Sequence, residues 1–119
     1  LSRQVATLSD AVANPVPVKA VLSPGAAFTA QFPNFGSLCY RIVLDQELTL
    51  SISGGTVNQF QELTFVVQQP IAGNCDVILP DNITWLGKTP FIDTRISKVT
   101  VFKVFTFDGG QTYMGVAYG

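Results

Sequence analysis

The sequence predicts an all-β domain, an antiparallel β-sandwich of jelly-roll type, preceded by a short N-terminal helical or coiled-coil remnant. Three observations point there. From Ala26 onward the apolar residues recur at a period of two, the pleat of a strand. Gly, Pro and Asn interrupt those runs at short intervals, as turns do in a sandwich. After Val12 no helical period is long enough to supply the crossovers of a parallel α/β sheet.

Taken in order, Leu1, Val5, Leu8 and Val12 fall at steps of four, three and four, an a/d heptad seam flanked by polar residues. Two heptads are marginal as a helix in water. They read either as the end of a coiled-coil stalk or as one amphipathic turn on the domain's own surface. Asn14-Pro15-Val16-Pro17 stops any helix, because Pro removes a donor and disfavours helical geometry before it. Val18 to Leu22 is extended, and Ser23-Pro24-Gly25 marks a turn. The expected organisation is therefore a short helix over 1–13, a Pro-rich linker over 14–25 and a sandwich domain over 26–119. The chain starts at Leu1 with no signal-peptide pattern, and it reads as a fragment or processed product.

The strands follow from alternation. Phe28, Ala30 and Phe32 form the apolar side of the first. Tyr40, Ile42 and Leu44 form the next, and Asp45-Gln46 is a short turn. Leu48, Leu50 and Ile52 give the cleanest pattern, closed by Gly54-Gly55 as a hairpin. Leu63, Phe65 and Val67 face inward from about Gln61 to Gln69, and Val77 and Leu79 begin another strand. The strongest hairpin signal is Asp108-Gly109-Gly110, where Gly supplies positive φ between two β-rich runs. Thr112, Met114, Val116 and Tyr118 alternate with Tyr113, Gly115 and Ala117, and the first set is the larger face. Between Val99 and Phe107 both faces are apolar in part. Either a bulge near Lys103 re-aims the side chains, or Phe102 and Val104 meet a neighbouring subunit.

The segments Ile83-Thr84-Trp85-Leu86-Gly87-Lys88-Thr89-Pro90 and Val101-Phe102-Lys103-Val104-Phe105-Thr106-Phe107-Asp108-Gly109-Gly110-Gln111-Thr112-Tyr113-Met114-Gly115-Val116 carry a resemblance. They resemble the C-terminal β-domain of tailed-bacteriophage virion proteins, the group that includes tail fibres, head fibres and minor structural proteins. Leu86 stands where that pattern usually has Pro, and Lys88 where it has a second Gly. The likeness reaches back to about Leu38 and covers roughly two-thirds of the chain. It implies a virion context, assembly in the host cytoplasm, a homotrimer and contact with other virion proteins. It implies no catalytic residue, because the motif is structural. Cys39 and Cys75 are the only cysteines; assembly in a reducing cytosol makes free thiols the plainer reading and a disulfide the other.

Composition narrows the function classes. Charged residues make up 13%, about half the roughly 25% usual in soluble domains, while hydrophobic residues make up 47%. That balance points to surface covered by other subunits. Leu1, Val5, Leu8, Val12, Phe102 and Val104 are the expected interface. A net charge of −1 without a basic run argues against nucleic acid. No apolar stretch approaches the roughly 20 residues of a membrane helix, so no insertion is expected.

Chemistry is sparse. With no histidine, Ser-His and Cys-His nucleophilic machinery is excluded, and no metal or other cofactor is expected. Asp45 and Glu47 are close in sequence but read as turn formers, and Asp76, Asp81 and Asp93 are the weak candidates for a loop calcium site. Asn82-Ile83-Thr84 matches a glycosylation sequon, though a strand start explains it better. Trp85 reads either as core beneath the hairpin or as a stacking platform for sugar. The expected attachment site, for a host-surface glycan, is Trp85, Lys88, Thr89, Asp93 and Arg95 in the loop Leu86–Arg95, because loops carry contacts while strands build the scaffold. Asp108, Gly109 and Gly110 are structural. The expectation is thus a non-enzymatic, trimeric appendage tip, or alternatively a capsid-decorating or tail-assembly protein without a receptor role.

Overall fold

A computed structural model describes residues 16–118; the heptad seam of Leu1, Val5, Leu8 and Val12 lies outside the described residues. Those described form an all-β structure of nine strands without a helix: β1 (Val18–Leu22), β2 (Ala27–Gln31), β3 (Leu38–Val43), β4 (Leu48–Ser53), β5 (Val57–Gln68), β6 (Val77–Ile78), β7 (Ile83–Trp85), β8 (Val99–Asp108) and β9 (Tyr113–Ala117). A six-stranded sheet has the order β1-β3-β5-β8-β9-β7, and a three-stranded sheet the order β2-β4-β6.

The pairing corrects the antiparallel, jelly-roll expectation. β1–β3, β3–β5, β7–β9, β2–β4 and β4–β6 are all parallel, and only β5–β8 and β8–β9 are antiparallel. The cause lies in the connections. From β1 to β6 the chain alternates between sheets, so each strand returns to its own sheet after one strand of the other. Parallel neighbours need a long crossover; here a strand of the other sheet with its two turns supplies it, and no helix is required. Asp45-Gln46 and Gly54-Gly55, expected as hairpins, are instead arcs that carry the chain from one sheet to the other.

Inward faces of both sheets contribute to one apolar core, from Ala30, Leu50 and Ile52 on the small sheet to Ile42, Leu63, Phe65 and Phe102 on the large one. Tyr40, Phe65 and Phe102 stack in series at centroid distances of 5.7 and 4.9 Å. Each fully buried side chain of this size contributes roughly 1.5–3 kcal/mol. Val18–Leu22, read as linker, is β1, and its Val21 packs on that core.

The arcs stack at the two ends, and buried amides lock them. At one end Asp45 accepts from the Gly25 N–H (3.0 Å), while Gln69 accepts from the Cys75 N–H (2.9 Å) and donates to the Cys75 carbonyl. At the other end fully buried Gln61 donates to the Pro33 and Gly36 carbonyls (2.6 and 2.9 Å) and accepts from the Thr56 N–H (2.8 Å). Gln61 thus ties two successive arcs together, while Gln69 closes the one arc that follows β5. Cys39 and Cys75 are free thiols, and burial pushes the Cys39 thiol above its usual range.

The predicted hairpin is present. β8 and β9 flank Gly109 and Gly110, whose φ values are 73° and 87°. No bulge occurs at Lys103, since the β5–β8 register runs unbroken from Gln61–Thr106 to Gln68–Val99. Phe102 and Val104 are 0% exposed, which corrects their assignment to a subunit interface. They belong to the core of the single chain, and the outward residues of β8 are Val99, Val101, Lys103, Phe105 and Phe107. On β9 the smaller face is inward, because Gly115 lies directly beneath the Trp85 ring.

Candidate functional site

The connection 86–98 between β7 and β8 builds the site. Its own alternation fixes it: Pro90 and Ile92 are buried, so Phe91 between them is turned outward and is 84% exposed. Backbone bonds then dock its far half on the arc after β5. Thr94 accepts from the Asn74 N–H (2.7 Å), and Lys98 accepts from the Gln69 N–H (2.9 Å). The Thr100 hydroxyl accepts from the Asp93 N–H (3.0 Å), which draws the loop toward the start of β8.

Between this loop and the outer face of the large sheet runs an open cleft of about 610 Å³. Lys88, Thr89, Phe91 and Asp93 form one wall. Val99, Thr100, Val101, Ala117 and Tyr118 form the floor and the other wall. An exposed phenyl ring and a half-exposed phenol ring therefore share a recess with a lysine, a hydroxyl and a carboxylate. Rings of this kind offer apolar faces for stacking, and the phenol also offers a polar tip.

Two ion pairs flank the cleft. Arg95 donates from Nε and Nη2 to the two Asp93 carboxylate oxygens (2.9 and 2.7 Å), a two-point clamp of the kind that favours Arg over Lys. That bonding holds the Asp93 carboxyl down to about 2, so it is ionised at ordinary pH. Beside the floor, Lys103 lies 3.3 Å from Glu62 and 5.9 Å from the Tyr118 ring centroid. The Tyr118 hydroxyl and then Glu62 raise its pKa.

Of the residues expected at the site, Lys88, Thr89 and Asp93 are brought together. Arg95 reaches the cleft only through Asp93, and it lines a separate recess with Gly73 and Asn74. Trp85 is not at the site. Its ring meets Phe102 edge-on at 5.9 Å and covers Gly115, so of its two readings the core one holds. Phe91 and Tyr118 went unnoticed in sequence. The signal for Phe91 was the Pro-Phe-Ile step itself, three apolar residues in a polar loop, of which only the outer two can point inward. Asp76, Asp81 and Asp93 do not gather, and among the described residues no three His, Cys, Asp or Glu side chains form a metal-sized group. No family model, curated protein or solved structure matches the chain.

Proposed function

We propose that the chain is the tip domain of a tailed-phage virion appendage, a fibre or head-fibre component without enzymatic activity, assembled in the host cytoplasm as a homotrimer. In this reading the two sheets pack as a sandwich that holds the loops at its ends, and the cleft under loop 86–98 attaches to a host-surface glycan. The single observation that carries the reading is that cleft, with Phe91 and Tyr118 beside Lys88, Thr89 and Asp93. Sugars present C–H faces that stack on aromatic rings and hydroxyls that bond to charged and hydroxyl groups. A shallow site of this kind binds weakly, and three copies on one particle raise the apparent affinity by avidity. The Trp-Leu-Gly-Lys-Thr-Pro run that carries the resemblance leads directly into the cleft wall.

The experiment is adsorption of the fluorescently labelled protein to susceptible cells. Phe91→Ala and Lys88→Ala are expected to reduce adsorption by about tenfold, the loss of a modest hot spot, with an unchanged melting temperature. No adsorption by the well-folded protein on any susceptible host would favour the second reading. In that reading the chain decorates a capsid or joins a tail and binds another virion protein. The apolar outer face of the large sheet is the observation in its favour.

A further inference from the structure

The cleft under loop 86–98 is rich in donors and short of acceptors. Its one carboxylate, Asp93, is spent within the chain. Oδ1 accepts from the Arg95 backbone N–H (3.1 Å) and from Nε (2.9 Å), and Oδ2 accepts from Nη2 (2.7 Å). These Arg95 bonds, with the nearby charge of Lys98 adding to them, hold the carboxyl down to about 2, so the clamp stays closed at any ordinary pH. The buried Thr100 hydroxyl lines the cleft and already accepts from the Asp93 N–H at 3.0 Å, so what it keeps for a ligand is its proton. Lys88 is exposed on the cleft wall, and among the described residues no carboxylate lies within ion-pair distance of it. Its ammonium offers three donors and no acceptor.

Charge along the loop has the same sign. Residues 86–98 hold Lys88, Arg95 and Lys98 against Asp93, a net charge of +2 on a chain whose total is −1, so the remainder carries −3. A recess rimmed by one sign of charge concentrates ligands of the other. We propose that the ligand of this cleft is an anionic sugar, a ring bearing a carboxylate or phosphate group, with its charge met by Lys88 and its apolar face against Phe91 and Tyr118. It rests on the glycan-attachment reading above and names the chemistry of that glycan. The balance of partners selects it. Each hydroxyl of a neutral sugar donates as well as accepts, and a cleft whose carboxylate is spent answers only half of that capacity. An ionised carboxylate or phosphate oxygen only accepts, and its bonds to an ammonium are of the stronger, charge-assisted kind. The sugar ring is needed too. Phe91 is 84% exposed and Tyr118 51%, and such rings gain from an apolar face that a bare anion lacks.

The test is binding of the full chain, coupled at high density to fluorescent beads, to an array of matched oligosaccharides. Each carboxylated glycan stands beside its methyl ester, and each phosphorylated glycan beside its dephosphorylated form. Wild type is expected to retain acidic members at least about tenfold over their neutral counterparts, with the preference shrinking as salt rises. Lys88→Gln is expected to abolish the preference and Lys88→Arg to keep it. Lys19→Gln, the same charge change on the exposed strand β1, is expected to leave it untouched. Lys88 and Lys19 are both exposed, so all three variants are expected to melt with wild type. The pairs that show the preference, carboxylated or phosphorylated, identify the anion. Equal retention of acidic and neutral members overturns the proposal and leaves the attachment reading standing. A preference that survives in Lys88→Gln overturns the assigned site, and equal capture of an oligoglutamate of the same charge overturns the part of the sugar ring. No binding of any member by the folded protein overturns both readings.

Discussion

Gln61 shows how much one side chain contributes at the residue scale. Its amide satisfies two carbonyls and one N–H from two different arcs, in a place that water does not reach. Gln61→Ala removes a fully buried amide and the three backbone bonds it makes to the partly buried arcs, a loss of about 1–3 kcal/mol. Gln68, on the outward side of the same strand, should change by no more than about 0.5 kcal/mol on substitution by Ala. Urea unfolding of the two variants checks the contrast, and equal midpoints would remove the lock from the account. Gly110 is the second such residue. Its φ of 87° alone makes a β-branched residue cost on the order of 1–3 kcal/mol. A Cβ there would also meet the Gly54 carbonyl and lie 2.6 Å from the Tyr113 hydroxyl, which donates to that carbonyl at 2.7 Å. Gly110→Val should therefore loosen the arc at Gly54 as well as the hairpin, seen as faster amide exchange at both. Asp108 adds a pH dependence. The Thr112 N–H, foremost, holds its carboxyl below the usual range, with the Thr106 hydroxyl assisting. A depressed folded-state pKa gives stability that is present above the ordinary aspartate value of about 3.9 and is lost as pH falls below it. Melting curves at neutral and acid pH should show wild type losing more on acidification than Asp108→Asn.

At the scale of the element, a period of two states which side of a strand faces the core. It does not state which strand lies beside it. Phe28, Ala30 and Phe32, then Tyr40, Ile42 and Leu44, then Leu48, Leu50 and Ile52 all point inward as their alternation predicts. Their pairing was not legible, because an arc and a hairpin use the same Gly, Asn and Asp residues. Where both faces were apolar, as in β8, alternation also failed to choose between them. The choice is made by β5, which offers Leu63 and Phe65 on one side and Glu62 and Thr64 on the other. The cleft was legible as a polar loop with Lys88, Thr89 and Asp93. Its second wall was not, since Tyr118 comes from the other side of the hairpin. β5 is the element on which most else depends, being paired on both sides by β3 and β8. Leu63→Ala at its centre should cost about 2–5 kcal/mol, with a cavity left in the core. Thr64→Ala, facing out, should stay within the roughly 1 kcal/mol span of strand propensity. Chemical unfolding separates these, and comparable losses would mean that β5 is not buried on one face only.

At the scale of the whole molecule the alternation between sheets makes nearly every strand contact remote in sequence. Val18 pairs with Cys39, Leu38 with Leu63 and Leu48 with Val77, so parallel partners sit more than about 20 residues apart. The β8–β9 hairpin is the exception, closed by a tight turn with Phe105 opposite Met114. Ordering the chain before remote contacts can form is the main entropic obstacle, so folds of this kind refold in milliseconds to seconds. The hairpin is the one strand pair whose closure is cheap, and β5 then docks on β8 along an unbroken register from Gln61 to Gln68. The small sheet is expected to form last, because each of its pairings closes a loop through a strand of the large sheet. This order predicts where stability changes appear in the kinetics. Gly110→Ala, in the hairpin, should act mostly by slowing refolding, with a φ-value above about 0.5. Ile52→Ala, in the central strand of the small sheet, should leave refolding nearly unchanged and appear mainly as faster unfolding. Stopped-flow chevrons of the two variants decide it. The reverse pattern would mean that the parallel arches assemble first and that the hairpin only closes the structure.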